Sequence, residues 1–172
     1  MPLYQLAVIA AAACVVFLRL RKKWGKDFRW KLLMLAGFAA SICLIVFQTF
    51  WNRESSGVQL APLLTPFHTY RAYLAEPFEE ILRMNFMNTI LFLPAGMFLC
   101  ELMPRRWKRW IPVVLSVLLL GALSGGIEYV QFVRALGQAE IDDVIHNILG
   151  ALIGALIVAL SPATADREFD CE

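Results

Sequence analysis

Charge is what this chain has least of. Asp, Glu, Lys and Arg make up 17% of its 172 residues, whereas 59% are hydrophobic, and the mean hydropathy is +0.62. Too little charge is present to cover a water-exposed surface, which excludes a soluble globular domain. Cysteines number four: Cys14, Cys43 and Cys100 fall in apolar runs and Cys171 in the C-terminal tail. No pair lies in a segment expected to be exported, so a disulfide framework is excluded and all four read as inert thiols. No convincing internal repeat and no low-complexity segment is present. The formal net charge of +2 comes from clusters beside apolar runs, where the anionic headgroups of an inner leaflet would meet them, and nothing points to nucleic acid.

What is abundant is apolar sequence. Runs cover residues 3–18, 32–50, 86–103, 111–130 and 144–160, each close to the roughly 20 residues that cross a bilayer as a helix. The expectation is an all-α, polytopic bundle of five transmembrane helices. The first run has no basic residue before it, so it reads as a membrane helix rather than a secretory signal, and A-A-A-C ending at Cys14 lacks the basic leader of a lipoprotein signal. Arg19, Arg21, Lys22, Lys23, Lys26, Arg29 and Lys31 crowd the first connection, and Arg105, Arg106, Lys108 and Arg109 the third. Short loops rich in Lys and Arg stay in the cytoplasm, which places the N-terminus outside and the C-terminus inside. Three segments follow: 1–31, a first helix with a basic loop; 32–160, four helices with an interfacial outer connection at 51–85; and 161–172, an acidic cytoplasmic tail.

Against this apolar background a few polar residues stand out. Glu128 and Gln131 close the fourth run, and Asp142, Asp143 and Asn147 open the fifth. Burying such groups in lipid is costly, so they mark a functional centre by default. Glu128 lies seventeen residues after Ile111, about 26 Å of helical rise, which puts it near the outer surface. Spacings of three, four and seven place Glu128 and Gln131 on one stripe, Asp143, Asn147, Gly150 and Gly154 on another, and Asn85, Asn88, Phe92 and Gly96 on a third. The stripes are expected to meet, packed on glycine at their deep ends and lining a polar cavity at their outer ends. Pro94 should loosen the third helix below that cavity. Residues 60–71 are apolar, proline-broken and too short to span, and 75–83 look like a short amphipathic helix, together forming a lid. The five tryptophans, Trp24, Trp30, Trp51, Trp107 and Trp110, sit at expected span ends as an aromatic belt.

These residues resemble a known family. N-T-I-L-F-L-P-A-G (88–96) is similar to the Asn-x-x-Leu-Phe-x-Pro-x-Gly signature of VanZ-like membrane proteins, and E-Y-V-Q (128–131) followed by I-D-D-V-I-H-N-I-L-G (141–150) is similar to the second. L-T-P-F (64–67) resembles the Asn-Leu-x-Pro-Phe element ahead of them. Several spaced motifs in order are more specific than any one alone. Two positions depart from the pattern: the arginine usual before the Asp-Asp pair is replaced by Gly137 and Gln138, with Arg134 nearby but out of register, and Pro62 or Leu63 stands where an Asn is usual. The resemblance implies a multi-pass protein of the bacterial cytoplasmic membrane, in a family whose founding member is associated with low-level resistance to teicoplanin.

Two functional readings follow. In the first, a non-enzymatic cell-envelope protein binds a membrane lipid or lipid-linked cell-wall precursor, with Asn88, Glu128, Gln131, Arg134, Asp142, Asp143 and Asn147 around the headgroup and Pro94, Gly96, Gly150 and Gly154 shaping the helices. Arg134, Arg83 and Arg71 are the candidate counter-ions for Glu128 and Asp143. In the second, Glu128, Asp142, Asp143 and His146 serve a membrane-embedded enzyme as acid, base or metal ligands. No resident metal or cofactor is expected under the first reading.

Overall fold

In a computed structural model, residues 3–25, 27–51, 55, 57–75, 79–104 and 106–161 are described, and they form six helices. These are α1 (Leu3–Trp24), α2 (Phe28–Phe50), α3 (His68–Ala75), α4 (Glu79–Leu102), α5 (Trp110–Val133) and α6 (Ile141–Ala159), with no strand among the described residues. Four stretches among the described residues are long and apolar enough to cross a membrane: Phe28–Phe50, Arg83–Leu102, Trp110–Val133 and Ile141–Ala159. Helix α1 precedes these four, 22 residues long with Arg21, Lys22 and Lys23 in its last turn. The acidic tail beyond Ser161, with Cys171, lies outside the described residues, as does Pro77.

The centre of the bundle is the pair α4 and α6, which run side by side in the same direction. Gly96, Gly150 and Gly154 make this possible: a Cβ at any of them would collide with the backbone oxygen of Ala151, Thr89 or Leu93, respectively. Small residues let backbones approach where lipid supplies no hydrophobic drive for association. Gly121 brings α5 against α6 less tightly, since a Cβ there would lie 3.2 Å from the Ile148 side chain, which can give by a few tenths of an ångström. Pro94 lies inside α4, which remains helical from Glu79 to Leu102. Helix α2 closes the other flank of α4, and Ile45, Phe92, Ala95, Leu120, Ile127 and Ala151 form one buried apolar cluster across four helices.

Two expectations change. The short outer helix is α3 at His68–Ala75, earlier than 75–83, while Glu79 to Arg83 open α4. The start of α3 is fixed from outside the segment: Asp142 of α6 accepts the backbone N–H of Phe67 (2.6 Å) and Thr69 (2.9 Å) and the Thr69 hydroxyl (2.5 Å). Nothing between 79 and 94 breaks the helical pattern, so α4 starts well before Phe86. The second change concerns Arg21 and Trp30, expected in the loop and the aromatic belt. Both are 2% exposed. Arg21 pairs with Glu101 of α4 at 2.7 Å and donates to the Val158 carbonyl (3.1 Å) and the Ser161 hydroxyl, while Trp30 Nε1 donates to Glu101 Oε1 at 3.1 Å. A buried carboxylate with a buried partner thus fastens α1 and α2 to α4 and α6.

Candidate functional site

At the other end of the bundle from the Arg21–Glu101 pair, the helices part around a cavity of about 440 Å³. Its walls come from the C-terminal ends of α2 and α5 and the N-terminal parts of α4 and α6. Phe92 and Ile127 give an apolar floor, continuous with the buried cluster below. Asn88, Glu128, Gln131, Asp143 and Asn147 provide polar walls from three helices, and Gln48, Thr49, Arg83, Met84, Met87 and Leu91 complete the lining. Glu128 is 9% exposed, Gln131 3% and Asn147 6%, whereas Arg83 is exposed at the rim.

Specific partners hold these polar side chains. Asp143 Oδ1 accepts from Asn88 Nδ2 at 2.7 Å, joining α6 to α4. Asn147 Nδ2 donates to Ser124 Oγ at 2.9 Å, joining α6 to α5, while its Oδ1 has no hydrogen-bond partner among the described residues. Glu128 Oε2 accepts the backbone N–H of Glu140 at 3.0 Å and so ties the end of α5 to the start of α6. The chain turns sharply between these helices. Ala135 adopts φ 50°, Ala135 N–H bonds to Phe132 O (3.1 Å) and Leu136 N–H to Gln131 O (2.9 Å), the paired closure that ends many helices at a left-handed residue.

Two of the seven expected binding residues lie elsewhere. Arg134 caps α5, is exposed and does not line the cavity. Asp142 points its carboxylate at the 67–69 segment and is also outside the lining. His146 joins the same clasp: Nδ1 lies 2.6 Å from the Asp142 carbonyl and Nε2 lies 2.7 Å from the Tyr70 hydroxyl. A carbonyl only accepts, so Nδ1 carries a proton, and in the neutral ring Nε2 accepts from Tyr70. Among the described residues no three His, Cys, Asp or Glu side chains form a group suited to a metal ion.

The connections on this side are cross-tied. Leu63 pairs with the chain at Glu140 as an isolated parallel bridge, through Leu63 N–H to Ala139 O (2.8 Å) and Ile141 N–H to Leu63 O (3.0 Å). Gln138 Nε2 donates to Ala61 O at 2.9 Å and so ties this turn to the 60–63 segment. Glu140, at the start of α6, has its proton affinity raised chiefly by burial and then by the Asp143 carboxylate; His68 acts in the opposite sense and Asp142 adds to the rise.

Sequence reasoning gives Arg83 only as one of three counter-ions and misses Gln48, Thr49 and the clasp partners Phe67, Thr69 and Tyr70. Met84, Met87, Asn88 and Leu91 share a helical face at spacings of three and four, a stripe that becomes visible once α4 is known to begin at Glu79.

Apolar spanning helices around a glycine-packed centre, with a polar cavity opening at one end, define an integral membrane protein built around a small binding-sized chamber. The chain belongs to the VanZ/LLP1 family, whose family model matches residues 32–161. Neither a curated protein nor a solved structure matches it. The residues that carry the family resemblance fall into three groups. Asn88, Glu128, Gln131, Asp143 and Asn147 line the cavity, Phe67, Asp142 and His146 clasp α3, and Gly96 and Gly150 pack α4 on α6.

Proposed function

We propose that this VanZ-like membrane protein binds the headgroup of a lipid or lipid-linked cell-wall precursor in the cavity and thereby influences teicoplanin susceptibility. The observation that carries the reading is the cavity's make-up: polar walls from Asn88, Glu128, Gln131, Asp143 and Asn147 above an apolar floor of Phe92 and Ile127. Its volume of about 440 Å³ lies within the range of roughly 300–1,000 Å³ common for small-molecule sites. In this reading α1 is a fifth span, the N-terminus is outside and the C-terminus inside, so the cavity opens at the outer leaflet of the bacterial cytoplasmic membrane, where glycopeptides meet precursors. Helix α3, held by Asp142, then lies on the outer face beside it.

The test is a susceptibility assay in the native host with Glu128→Gln and Asp143→Asn. The protein level should stay unchanged and teicoplanin susceptibility should shift to that of a deletion strain. Wild-type susceptibility in both variants would end this reading. No observation favours the enzymatic alternative, since Asp142 and His146 are committed to the α3 clasp.

A further inference from the structure

The cavity has a side as well as an end. Helices α2 and α5 both pack on α4 and barely touch each other. Low in the bundle the space between them is filled by Ile45 of α2, Phe92 of α4 and Leu120 of α5. Higher up the helices part into the cavity, with Gln48 and Thr49 on the α2 side, Ile127 and Gln131 on the α5 side, and α4 behind. Two faces of α4 divide the work. The carbonyls of Thr89 and Leu93 meet Gly150 and Gly154 of α6, whereas Met84, Met87 and Leu91 look into the gap between α2 and α5. Met84 is 54% and Met87 38% exposed although both line the cavity, so the opening runs over this face. The polar groups stand on the wall away from it, where Asn88 meets Asp143 of α6.

The side opening reaches bilayer depth. The apolar stretch of α4 runs from Arg83 to Leu102, and Leu91 lies eight residues inside it, about 12 Å of rise. A span of this length crosses roughly 30 Å of hydrocarbon, so Leu91 and Phe92 stand at the depth of acyl chains, below headgroups and water. Apolar walls do not hold water, and Met87, Leu91, Phe92 and Ile127 would make a poor water-filled slot. Methionine, unbranched and flexible, suits an occupant that takes many conformations.

Resting on the lipid-binding reading above, we propose that the cavity admits its lipid sideways, through the gap between α2 and α5, and seats a hydrocarbon chain along Met84, Met87 and Leu91 while the headgroup reaches the wall of Asn88 and Glu128. The ligand class is therefore an amphiphile already resident in the bilayer. The same headgroup without a chain is not a ligand.

The full-length protein is reconstituted in vesicles of phosphatidylethanolamine and phosphatidylglycerol that carry a trace of the same lipids with a photoreactive group, placed either beside the headgroup or in the upper half of one acyl chain. Labelled positions are read by mass spectrometry after illumination. The chain probe should label Met87, Leu91 and Ile127, and excess lysophosphatidylethanolamine should suppress that labelling while chain-free glycerophosphoethanolamine should not. Leu91→Trp, which fills the gap from α4, should remove chain labelling at Ile127 and spare Val114 and Leu118 on the exposed face of α5. Gln48→Trp, from an exposed position on α2, should do the same, with thermal melting confirming that both variants fold. Three results overturn sideways chain binding and leave the headgroup reading standing, provided that the headgroup probe still labels the cavity: chain labelling confined to Val114 and Leu118, Ile127 labelling unchanged in both folded variants, or equal competition by the chain-free compound. Cavity labelling by neither probe overturns both.

Discussion

Asp142 and Asp143 are neighbours in sequence and opposites in role. A helix turns about 100° per residue, so one carboxylate faces the 67–69 segment and the other faces Asn88 and the cavity. Asp142 accepts two backbone N–H groups and a hydroxyl. Hydrogen bonds to a charged group contribute about 1.5–3 kcal/mol each, so Asp142→Ala should cost at least about 3 kcal/mol locally. Hydrogen exchange should accelerate at residues 67–75 and leave α4 and α5 unchanged; slow exchange there would contradict the clasp. Glu140 governs a pH dependence. Its folded-state proton affinity is raised, first by burial, so the folded chain binds the proton more tightly than the unfolded one. The stability from the protonated form is full below the ordinary carboxylate range and is lost as pH rises through the raised value. Glu140→Gln should therefore flatten the dependence of melting temperature on pH and raise the melting temperature near neutrality. An unchanged profile would show that Glu140 is not the titrating group. The residue types at 142 and 143 are legible in sequence as costly polar groups, but identical side chains one position apart carry no label saying which meets a loop and which a cavity.

At the scale of elements, the joint between α4 and α6 is the part most readable from sequence. The glycine spacing at 150 and 154 announces close packing, and Gly96 falls on the expected stripe. Since each glycine faces a carbonyl oxygen rather than a flexible side chain, Gly154→Ala cannot be accommodated by a rotamer change. It should cost about 1–3 kcal/mol or more, read as a lower melting temperature of the purified protein, whereas Gly125→Ala, with nothing near its position, should leave melting unchanged. Equal effects would contradict the joint. Helix α3 is less readable because its start is imposed by Asp142, 75 residues away from Phe67 in sequence. A helix fixed by a distant carboxylate leaves only weak local signals.

The whole molecule is held at its two ends by different physics. One end is closed by Arg21, Glu101 and Trp30, all buried, and the other opens into the cavity. The basic cluster in which Arg21 sits looks like a uniform topology signal, and nothing in a single sequence distinguishes the one arginine that turns inward. Removing one partner of a buried pair strands a charge, so Glu101→Ala should destabilise by about 3–5 kcal/mol, and joint replacement of Arg21 and Glu101 by Met should recover much of that loss. Denaturation of the three forms checks it; a double variant no better than Glu101→Ala would contradict the pair. Lipid occupancy of the open end is tested most directly by photo-crosslinking. A phospholipid carrying a photoreactive group beside its headgroup should label peptides containing Met87, Leu91 and Ile127. Glu128→Gln with Asp143→Asn should abolish that labelling. Labelling spread over the exposed apolar face at Val114, Leu118 and Leu119, unaffected by those substitutions, would contradict a headgroup site in the cavity.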